Sequence, residues 1–378
     1  MEINIFNGPK KEFESIIPSK KMTLPEFVLK YDAKKHTLHV ETDPEKEYYE
    51  ENKKEYIECL VAFSENYAGI TESAVQTFNN ILNECEIDKI YLQNPPKNII
   101  KLLEENYENI KYENYNYSTL TKEDFLKINS EFDKRVIGQE KAKIKILTAL
   151  YPLIKKYNNG KPITLMFYGN SGVGKTETAK FISDILDEKL FRKQFSMFQN
   201  MKFSEYLFGG SHMQSSFAKD LLERESNIIL LDEFDKAANL FHEAFYQLFD
   251  EAIFEDNNYQ VKLEDSIIIC TSNYKNIDEI RKNIGDPLFY RFDSIIEFHD
   301  LSIESKEKII ENIINKKYEK LDIEDKKLIN KKEITDLFKN NAYKIRNSRQ
   351  ISNLIEEKIN SVLINSFIEN ENENDINH

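Results

Sequence analysis

Over the first third of the chain, compact apolar runs alternate with segments whose apolar residues recur at helical spacing. Compact apolar runs predict β-strands at 36–42, 56–63, 87–94 and 109–117. Between the last three runs, segments 71–85 and 97–107 carry apolar residues at helical spacing, with Thr71 or Ser73 near the first start. This order predicts a small α/β domain within roughly the first 120 residues.

A second region opens near residue 122 with the pattern of a larger α/β unit. After Asp133 a helix is predicted from three residues at helical spacing, Ala142, Ile146 and Ala149. An Asn-Asn-Gly break at 158–160 precedes the apolar run 162–169. Because this run has no polar alternation, it predicts a central parallel strand buried on both faces.

The rest of the chain predicts a hairpin and then a helical region. The acidic segment 249–266 predicts a hairpin with its turn at 256–258. Helices are predicted at 302–321, 331–343 and 348–367. The last helix carries one apolar stripe, formed by Ile351, Leu354, Ile355, Ile359 and Val362. The polar end, 369–378, is expected to be disordered.

Composition narrows the class of protein. A chain of 378 residues can hold two or three domains with their own cores. Its 40% hydrophobic and 31% charged residues indicate a soluble, helix-rich protein, and its net charge of −14 disfavours nucleic-acid binding. The N-terminus lacks a signal-peptide core, and no apolar run approaches the roughly 20 residues of a membrane span. We therefore expect a cytoplasmic protein with no membrane partner.

The cysteines and two closely spaced histidines indicate packing and not metal binding. Cys59, Cys85 and Cys270 form no CxxC pair, so we expect free thiols that pack as small apolar residues. His36 and His39 would point to opposite faces of the predicted strand, which disfavours a shared metal ion.

The segment after the apolar run at 162–169 matches G-x-x-x-x-G-K-[ST] completely, the pattern of a phosphate-binding loop. Its residues are Gly169, Asn170, Ser171, Gly172, Val173, Gly174, Lys175 and Thr176. The glycines let backbone N–H groups point at phosphates, and the following helix adds its positive end. Lys175 would place a charge between the phosphates, and Thr176 would offer its hydroxyl to Mg²⁺. The predicted ligands are ATP and Mg²⁺.

Two later apolar strands end in residues suited to phosphate hydrolysis. The run 228–231 leads to Asp232, which can hold the Mg²⁺ shell, and to Glu233, which can polarise the attacking water. The strand 265–273 ends at Asn273, whose carboxamide could orient that water. A strand with a charged end is the structural alternative, but the order of these strands after the phosphate loop favours catalytic roles.

Together these segments resemble the AAA+ ATPases, and within them the Clp family of unfoldases and disaggregases. The resembling segments are RVIGQEKA (135–142), SGVGKTETAK (171–180), ILLDEFDKA (229–237), TSN (271–273) and DPLFYRFDSIIEF (286–298). The resemblance spans about residues 131–367 and does not reach the N-terminal domain. It implies an α/β P-loop module, with a parallel sheet flanked by helices, followed by a helical lid.

The resemblance also implies roles for residues outside the two motifs. The backbone of Val136 and Ile137 would lie against the adenine. Arg291 matches the arginine finger, which acts on a neighbour's nucleotide and so implies a ring, and Arg349 matches the lid arginine called sensor 2. Arg346 is the alternative to Arg349, because the two residues between them depart from the family pattern. Such arginines would stabilise charge on the transferred phosphoryl group, and a surface salt bridge is the structural alternative.

One segment departs from the Clp pattern, in which a Gly-aromatic-apolar-Gly loop grips polypeptide. Segment 209–216 is shorter than expected, and His212 and Met213 lie where the grip would be. The preceding residues, 206–208, are expected to pack as core. A His-Met loop could contact clients through the adaptable methionine, or the loop could thread nothing.

These patterns divide the chain into an N-terminal α/β domain at 1–125 for clients or partners, a large ATPase subdomain at 126–299, a helical lid at 300–368 and a polar tail at 369–378.

The leading hypothesis is an ATP-dependent, Clp-like protein remodeller that acts as a ring, hexameric by resemblance. The alternative is an oligomeric ATP-driven switch that controls one dedicated partner, such as a toxin or a defence effector. A nucleic-acid motor is disfavoured by the net charge and the acidic hairpin.

Overall fold

The computed structural model describes residues 1–35, 54–71, 75, 78–197, 202–237 and 239–376. The predicted strand at 36–42, with His36 and His39, lies outside the described residues. The described chain forms two parallel sheets covered by helices, followed by a helical subdomain. The predicted α/β P-loop class with a helical lid and a small α/β N-terminal domain is confirmed.

The N-terminal domain alternates strands with helices. Its strands are β1 (Glu2–Asn7), β2 (Met22–Thr23), β3 (Glu55–Ala62), β4 (Cys85–Gln93) and β5 (Ile110–Asn114). Its helices are α1 (Lys10–Ile16), α2 (Leu24–Lys35), α3 (Phe78–Asn83) and α4 (Lys97–Asn106), with a 3-10 helix at Ser64–Gly69. The described strands are all parallel, in the order β2-β3-β4-β1-β5.

The sequence patterns do not predict β1, yet this strand lies inside the sheet between β4 and β5. Ile3 and Ile5 are fully buried and pack in one core with Leu60 and Ile90 of the neighbouring strands. The six residues EINIFN carry only three apolar side chains, a signal too short to separate from a loop. Pairing with β4 and β5 on both sides, and not the local pattern, stabilises this strand.

The ATPase subdomain continues the numbering. Its strands are β6 (Ile163–Tyr168), β7 (Phe191–Gln194), β8 (Ile228–Asp232), β9 (Ile253–Glu255), β10 (Gln260–Lys262), β11 (Ile267–Thr271) and β12 (Ser294–Glu297). Its helices are α5 (Lys122–Arg135), α6 (Glu140–Lys155), α7 (Lys175–Ile185), α8 (Lys202–Phe208), α9 (Phe217–Leu222), α10 (Asn239–His242), α11 (Tyr246–Glu251) and α12 (Ile277–Phe289). Further 3-10 helices lie at Phe195–Met197, Phe234–Lys236 and Glu243–Phe245.

The second sheet has the order β12-β6-β11-β8-β7 and separates two cores. Met166 and Cys270 pack into one core, whereas Phe167 and Ile269 pack into the other. Every residue of β6, β8 and β11 is buried, which explains their unbroken apolar runs. The prediction that β6 is a central parallel strand buried on both faces is confirmed: it lies between β11 and β12, and β11 is the middle strand of the five. Strands β9 and β10 form the predicted antiparallel hairpin.

The helical subdomain contains α13 (Ile303–Lys320), α14 (Ile323–Leu328), α15 (Lys331–Asn340) and α16 (Ser348–Ile376), with a 3-10 helix at Ala342–Lys344. Ile351, Ile355 and Ile359 are buried in its core, as the apolar stripe predicts. The expectation of a disordered tail is wrong for residues 369–376, because α16 continues to Ile376. Extending an existing helix avoids the costly nucleation step, so polar residues can continue it.

Along the described parts of the chain, no helix has the length and apolar character needed to cross a bilayer.

We predict that Ile269→Ala lowers the free energy of unfolding of the ATPase subdomain by about 2–5 kcal/mol, because it leaves a cavity between β11 and the helices. Urea titration followed by circular dichroism measures this value. Ile144→Ala is the control, since Ile144 of α6 is 65% exposed. Equal effects of the two substitutions would contradict the assignment of β11 as the centre of the core.

Candidate functional site

The loop between β6 and α7 adopts a conformation that requires glycine. Gly169 and Gly174 have φ angles of +130° and +117°, a range that other residues rarely adopt. A Cβ on Gly169 would come within 2.3 Å of the Phe298 carbonyl oxygen, so the loop packs on the backbone leading to the lid. Gly174 is the N-cap of α7, whose free N–H groups and dipole favour an anion. This cradle suits phosphate groups.

Lys175 joins the loop to the end of the neighbouring strand. Its Nζ donates to the carbonyl oxygen of Gly169 at 2.6 Å and to Asn273 Oδ1 at 3.3 Å. Burial lowers the pKa of Lys175 to about 8, while the negative charges of Asp235 and Asp232 act in the opposite direction. The structure thus brings together two predicted site residues that are 98 positions apart.

Asp232 ends β8 and is almost completely buried. Its Oδ2 accepts from Arg192 Nε at 3.0 Å and Nη2 at 2.5 Å, and its Oδ1 accepts from the Thr271 hydroxyl. Thr176 Oγ1 lies 3.5 Å from the same Oδ1. Two oxygen atoms, one from the phosphate loop and one from β8, therefore converge at one point, as a shared Mg²⁺ shell would require.

Glu233 has φ +56° and ψ +44°, a left-handed conformation that costs a non-glycine residue about 1–3 kcal/mol. Its backbone N–H donates to Thr271 Oγ1 at 3.0 Å, and its Oε2 accepts from Gln194 Nε2 at 3.0 Å. Hydrogen bonds from Ser196 and Gln194 lower the pKa of Glu233, which keeps the carboxylate ionised and able to accept a proton. The strained backbone and the ionised state both favour a functional role.

A cleft of about 270 Å³ opens between the phosphate loop and the lid. Its apolar lining comes from both subdomains and consists of Val136, Ile137, Val173, Gly174, Leu301, Ile309 and Ile313. The two residues that the resemblance assigns to the adenine therefore lie beside the phosphate loop. An apolar cleft next to an anion cradle fits a nucleotide base.

The lid is attached directly to the phosphate loop. Ser348 donates to the Gly172 carbonyl oxygen through its hydroxyl at 2.8 Å and its backbone N–H at 3.2 Å. Arg349 lines the cleft, whereas Arg346 does not belong to its lining and donates its backbone N–H to Gln350. The position at the cleft favours Arg349 over Arg346 as the lid arginine.

The structure places Arg291 neither in the lining of the cleft nor in the hydrogen-bonded set around Lys175 and Asp232. Its Nε donates to Asp250 Oδ2 at 2.8 Å, its Nη1 donates to the Pro287 carbonyl oxygen, and its guanidinium lies 4.6 Å from the centre of the Tyr246 ring. The side chain is partly exposed. A role at the chain's own phosphate loop is therefore disfavoured, and a role toward a neighbouring subunit stays a prediction.

Segment 209–216 contacts the N-terminal domain. His212 is buried, and its Nε2 lies 2.8 Å from the Ile70 carbonyl oxygen, whereas Met213 is exposed. The expectation that residues 206–208 pack as core holds for Leu207 but is wrong for Phe208, which is 37% exposed. Of the two residues that lie where a polypeptide grip would be, only Met213 is exposed to solvent.

Sequence reasoning missed several residues that organise the site. Arg192 and Gln194 lie on β7, where Gln194 is in register with Asp232, and they hold the two carboxylates of β8. Gln139 is buried and donates to the carbonyl oxygens of Val173 and His299, which ties the adenine segment to the loop and the lid. Only the spatial order of the strands reveals these contacts; the alternate placement of Arg192 and Gln194 is the weak signal that could have suggested them.

The residues fit a nucleotide with Mg²⁺. Within the described residues, no three His, Cys, Asp or Glu side chains cluster as a metal site. Mg²⁺ in nucleotide sites is usually held by one or two protein oxygens together with phosphate oxygens, so Thr176 and Asp232 are sufficient.

Comparison with known proteins supports the same module. A family model described as AAA domain (Cdc48 subfamily) matches residues 161–369. The chain is similar to the chaperone protein ClpB of Malacoplasma penetrans (strain HF-2), with 24% identity over 270 residues. That match covers 65% of this chain and 38% of the relative, so the chain spans well under half the length of that protein.

Two solved structures share the fold. The chain is similar to Hsp104 in a closed-state cryoEM reconstruction with ATPγS and FITC casein, with a TM-score of 0.58 and 15% identity over 98% of this chain and 89% of that one. It is also similar to Hsp104 in an S. cerevisiae Hsp104–ADP complex, with a TM-score of 0.54 and 22% identity over 66% of this chain and 40% of that one. At these identities the likeness is one of fold.

We predict that nucleotide binding takes up a proton from solution at about pH 8.5 and much less at about pH 7, because Lys175 with a pKa of about 8 is mostly neutral at the higher pH and phosphates favour its charged form. Affinity should fall as the pH rises through this range. Titration calorimetry with ATPγS in two buffers of different ionisation enthalpy measures the uptake.

Lys175→Arg should abolish the uptake, because arginine stays charged throughout the range. Lys180→Arg, an exposed lysine of the same helix, should leave it unchanged. Equal proton uptake at the two pH values, or uptake that persists in Lys175→Arg, would show that another group titrates.

Proposed function

We propose that this chain, which belongs to the AAA domain family (Cdc48 subfamily), hydrolyses ATP within a ring and remodels protein clients. One observation carries the proposal: Lys175, Thr176, Asp232, Glu233 and Asn273 converge at one edge of one sheet. That set contains a phosphate ligand, two metal ligands, a base and a residue that can orient water.

In this proposal Thr176 and Asp232 hold Mg²⁺, which neutralises charge on the phosphate oxygens when it is bound. Lys175 binds phosphate oxygens through its ammonium group. Glu233 accepts a proton from the attacking water, and Asn273 orients that water. The water oxygen bonds to the γ-phosphorus as the bond to the bridging oxygen breaks, which yields ADP and phosphate. Val136 and Ile137 hold the adenine.

Assembly into a ring, as a hexamer, supplies the remaining positive charge. Arg291 lies away from its own cleft and is held by Asp250 on a partly exposed surface. An adjacent subunit could therefore receive it at its γ-phosphate, where an arginine stabilises the transition state. Arg349 lines its own cleft and couples the lid to the bound nucleotide.

A protein client is favoured by what is known of the similar proteins by name. The curated relative is named a chaperone, and one similar structure holds FITC casein. The N-terminal domain would select the client or partner. We place the protein in the cytoplasm, in keeping with the free thiols of Cys59 and Cys270.

The second candidate is an ATP-driven switch for one dedicated partner, and segment 209–216 favours it. A loop that grips clients should be accessible, yet His212 is buried against Ile70. A ring with this loop covered could assemble and release a partner without threading polypeptide.

We predict that Glu233→Gln lowers the ATPase rate by a factor of about 10²–10⁴ while ATP still binds, because only the proton acceptor is lost. Glu243→Gln, an exposed acid on a neighbouring turn, is the control and should keep normal turnover. Hydrolysis near the normal rate in Glu233→Gln would refute the catalytic assignment.

The same variant separates the two candidates. Purified from its own cells with ATP present, Glu233→Gln should retain bound clients, which mass spectrometry identifies. A broad mixture of unfolded proteins supports the remodeller, whereas one stoichiometric partner supports the switch.

We predict that Arg291→Ala lowers turnover by a factor of about 10³ or more, and that mixing it with Lys175→Ala, which is itself inactive, restores part of the activity. In a mixed ring, each Arg291→Ala subunit can receive an intact arginine from a Lys175→Ala neighbour. Arg281→Ala is the control, since Arg281 lies on α12, which ends two residues before Arg291, and pairs with Asp286 at the surface. No recovery on mixing would refute action between subunits.

A further inference from the structure

The N-terminal domain docks on the ATPase subdomain through a carboxylate of the ATPase subdomain. This carboxylate lies at the carboxyl end of the N-terminal sheet. Glu223, directly after α9, accepts from Gln93 Nε2 at 2.9 Å, from Asn94 Nδ2 at 2.9 Å and from the Lys10 backbone N–H at 3.1 Å. Gln93 and Asn94 are fully buried at the carboxyl end of β4. Among the described residues, no lysine, arginine or histidine lies within 4.0 Å of this carboxylate. Three N–H donors thus hold the carboxylate, and the charges of Lys10 and Lys219 act on it from farther away.

Lys97 and Arg224 make further contacts between the two domains. Lys97, at the start of α4, donates its backbone N–H to the Asn258 carbonyl oxygen at 2.8 Å and its Nζ to Glu255 Oε1 at 2.6 Å, so it holds the β9–β10 hairpin. The guanidinium of Arg224 lies 3.8 Å from the centre of the Tyr117 ring. Directional polar contacts of this kind define one docked position and can be broken without disturbing either core.

From Glu223 a continuous set of contacts leads to the site of hydrolysis. Asp220, three residues earlier on α9, pairs with Lys193 of β7 at 2.5 Å. Side chains alternate along a strand, so the residues on either side of Lys193 face the opposite way. Those residues are Arg192, which binds Asp232, and Gln194, which binds Glu233. Strand β7 thus connects the docked helix to both carboxylates.

We propose that the docked N-terminal domain is a built-in brake on ATP hydrolysis, in which Glu223 acts as a positioning residue through Asp220 and β7. In the docked position Arg192 holds Oδ2 of Asp232, whose Oδ1 lies beside Thr176, and Gln194 holds Oε2 of Glu233. Release of the domain lets α9 and β7 shift and frees both carboxylates. The same release uncovers His212. This inference rests on the proposed ATPase function.

Docking and turnover are measured separately in full-length chains. The chain has no tryptophan, so Tyr117→Trp places a single reporter against Arg224 at the interface. Glu223→Ala and Lys97→Ala break the interface from its two sides. The matched controls are Glu225→Ala, an exposed acid two residues along, and Lys101→Ala, an exposed lysine on α4.

We expect Glu223→Ala and Lys97→Ala to shift the tryptophan emission to the red, as the ring becomes exposed to water, and to raise kcat about fivefold with little change in KM. The two controls should change neither quantity. Lys193→Ala should also raise kcat, and adding it to Glu223→Ala should give no further increase, because both act through β7. Lys97→Ala keeps the test intact if Glu223→Ala fails to fold.

The other possible outcomes would contradict the brake, the docking contacts or the proposed function. If the emission shifts but kcat stays constant or falls, the brake is wrong. If neither variant nor their combination shifts the emission, the docking contacts are wrong. If the parent chain and the released variants all fail to hydrolyse ATP, the proposed function itself fails. If the parent chain and the released variants all hydrolyse ATP at the same rate, the proposed ATPase function stands and only the brake fails.

Discussion

The parallel direction of β6, β8 and β11 is the constraint on which the candidate site depends. Parallel strands end at the same edge of a sheet, so the loop before Lys175, the acids after β8 and Asn273 after β11 meet there. Reversal of one strand would send its terminal side chain to the opposite edge. Because the three strands are buried on both faces, polar functional side chains lie at the strand ends.

The same constraint explains why the N-terminal domain docks as it does. Its parallel strands also end together, and the carboxyl end of β4 carries Gln93 and Asn94, whose amide groups are buried. Buried amides need hydrogen-bond partners, and Glu223 supplies an acceptor that the domain itself does not fully provide. In the ATPase subdomain the carboxyl edge carries the proposed nucleotide site, whereas here it receives a side chain of the neighbouring domain.

Sequence patterns were most informative where local chemistry decides the outcome. The glycine-rich loop, the acids at 232–233 and the long helical stripe around Ile355 depend on neighbouring residues, and the structure contains these elements as expected. Strand β1, the central place of β11 and the contacts of Arg192 depend on pairing between distant segments, which no local pattern encodes. The burial of His212 has no local signal for the same reason: its surroundings belong to another domain.

The connection between Glu223 and β8 determines whether movement of one domain can reach the other. This segment is short and held at several points: Arg224 Nη1 donates to the Leu221 carbonyl oxygen at 2.7 Å, while Ser226 Oγ and the Asn227 backbone N–H donate to Glu188 at 2.8 and 2.9 Å. A flexible connection would absorb a displacement, because its own backbone would adjust first. A connection held in this way keeps α9 beside the sheet, so that the proposed displacement passes from Asp220 to β7. In the proposed coupling, Asp232 and Glu233 therefore respond to a domain none of whose described residues lines the nucleotide cleft.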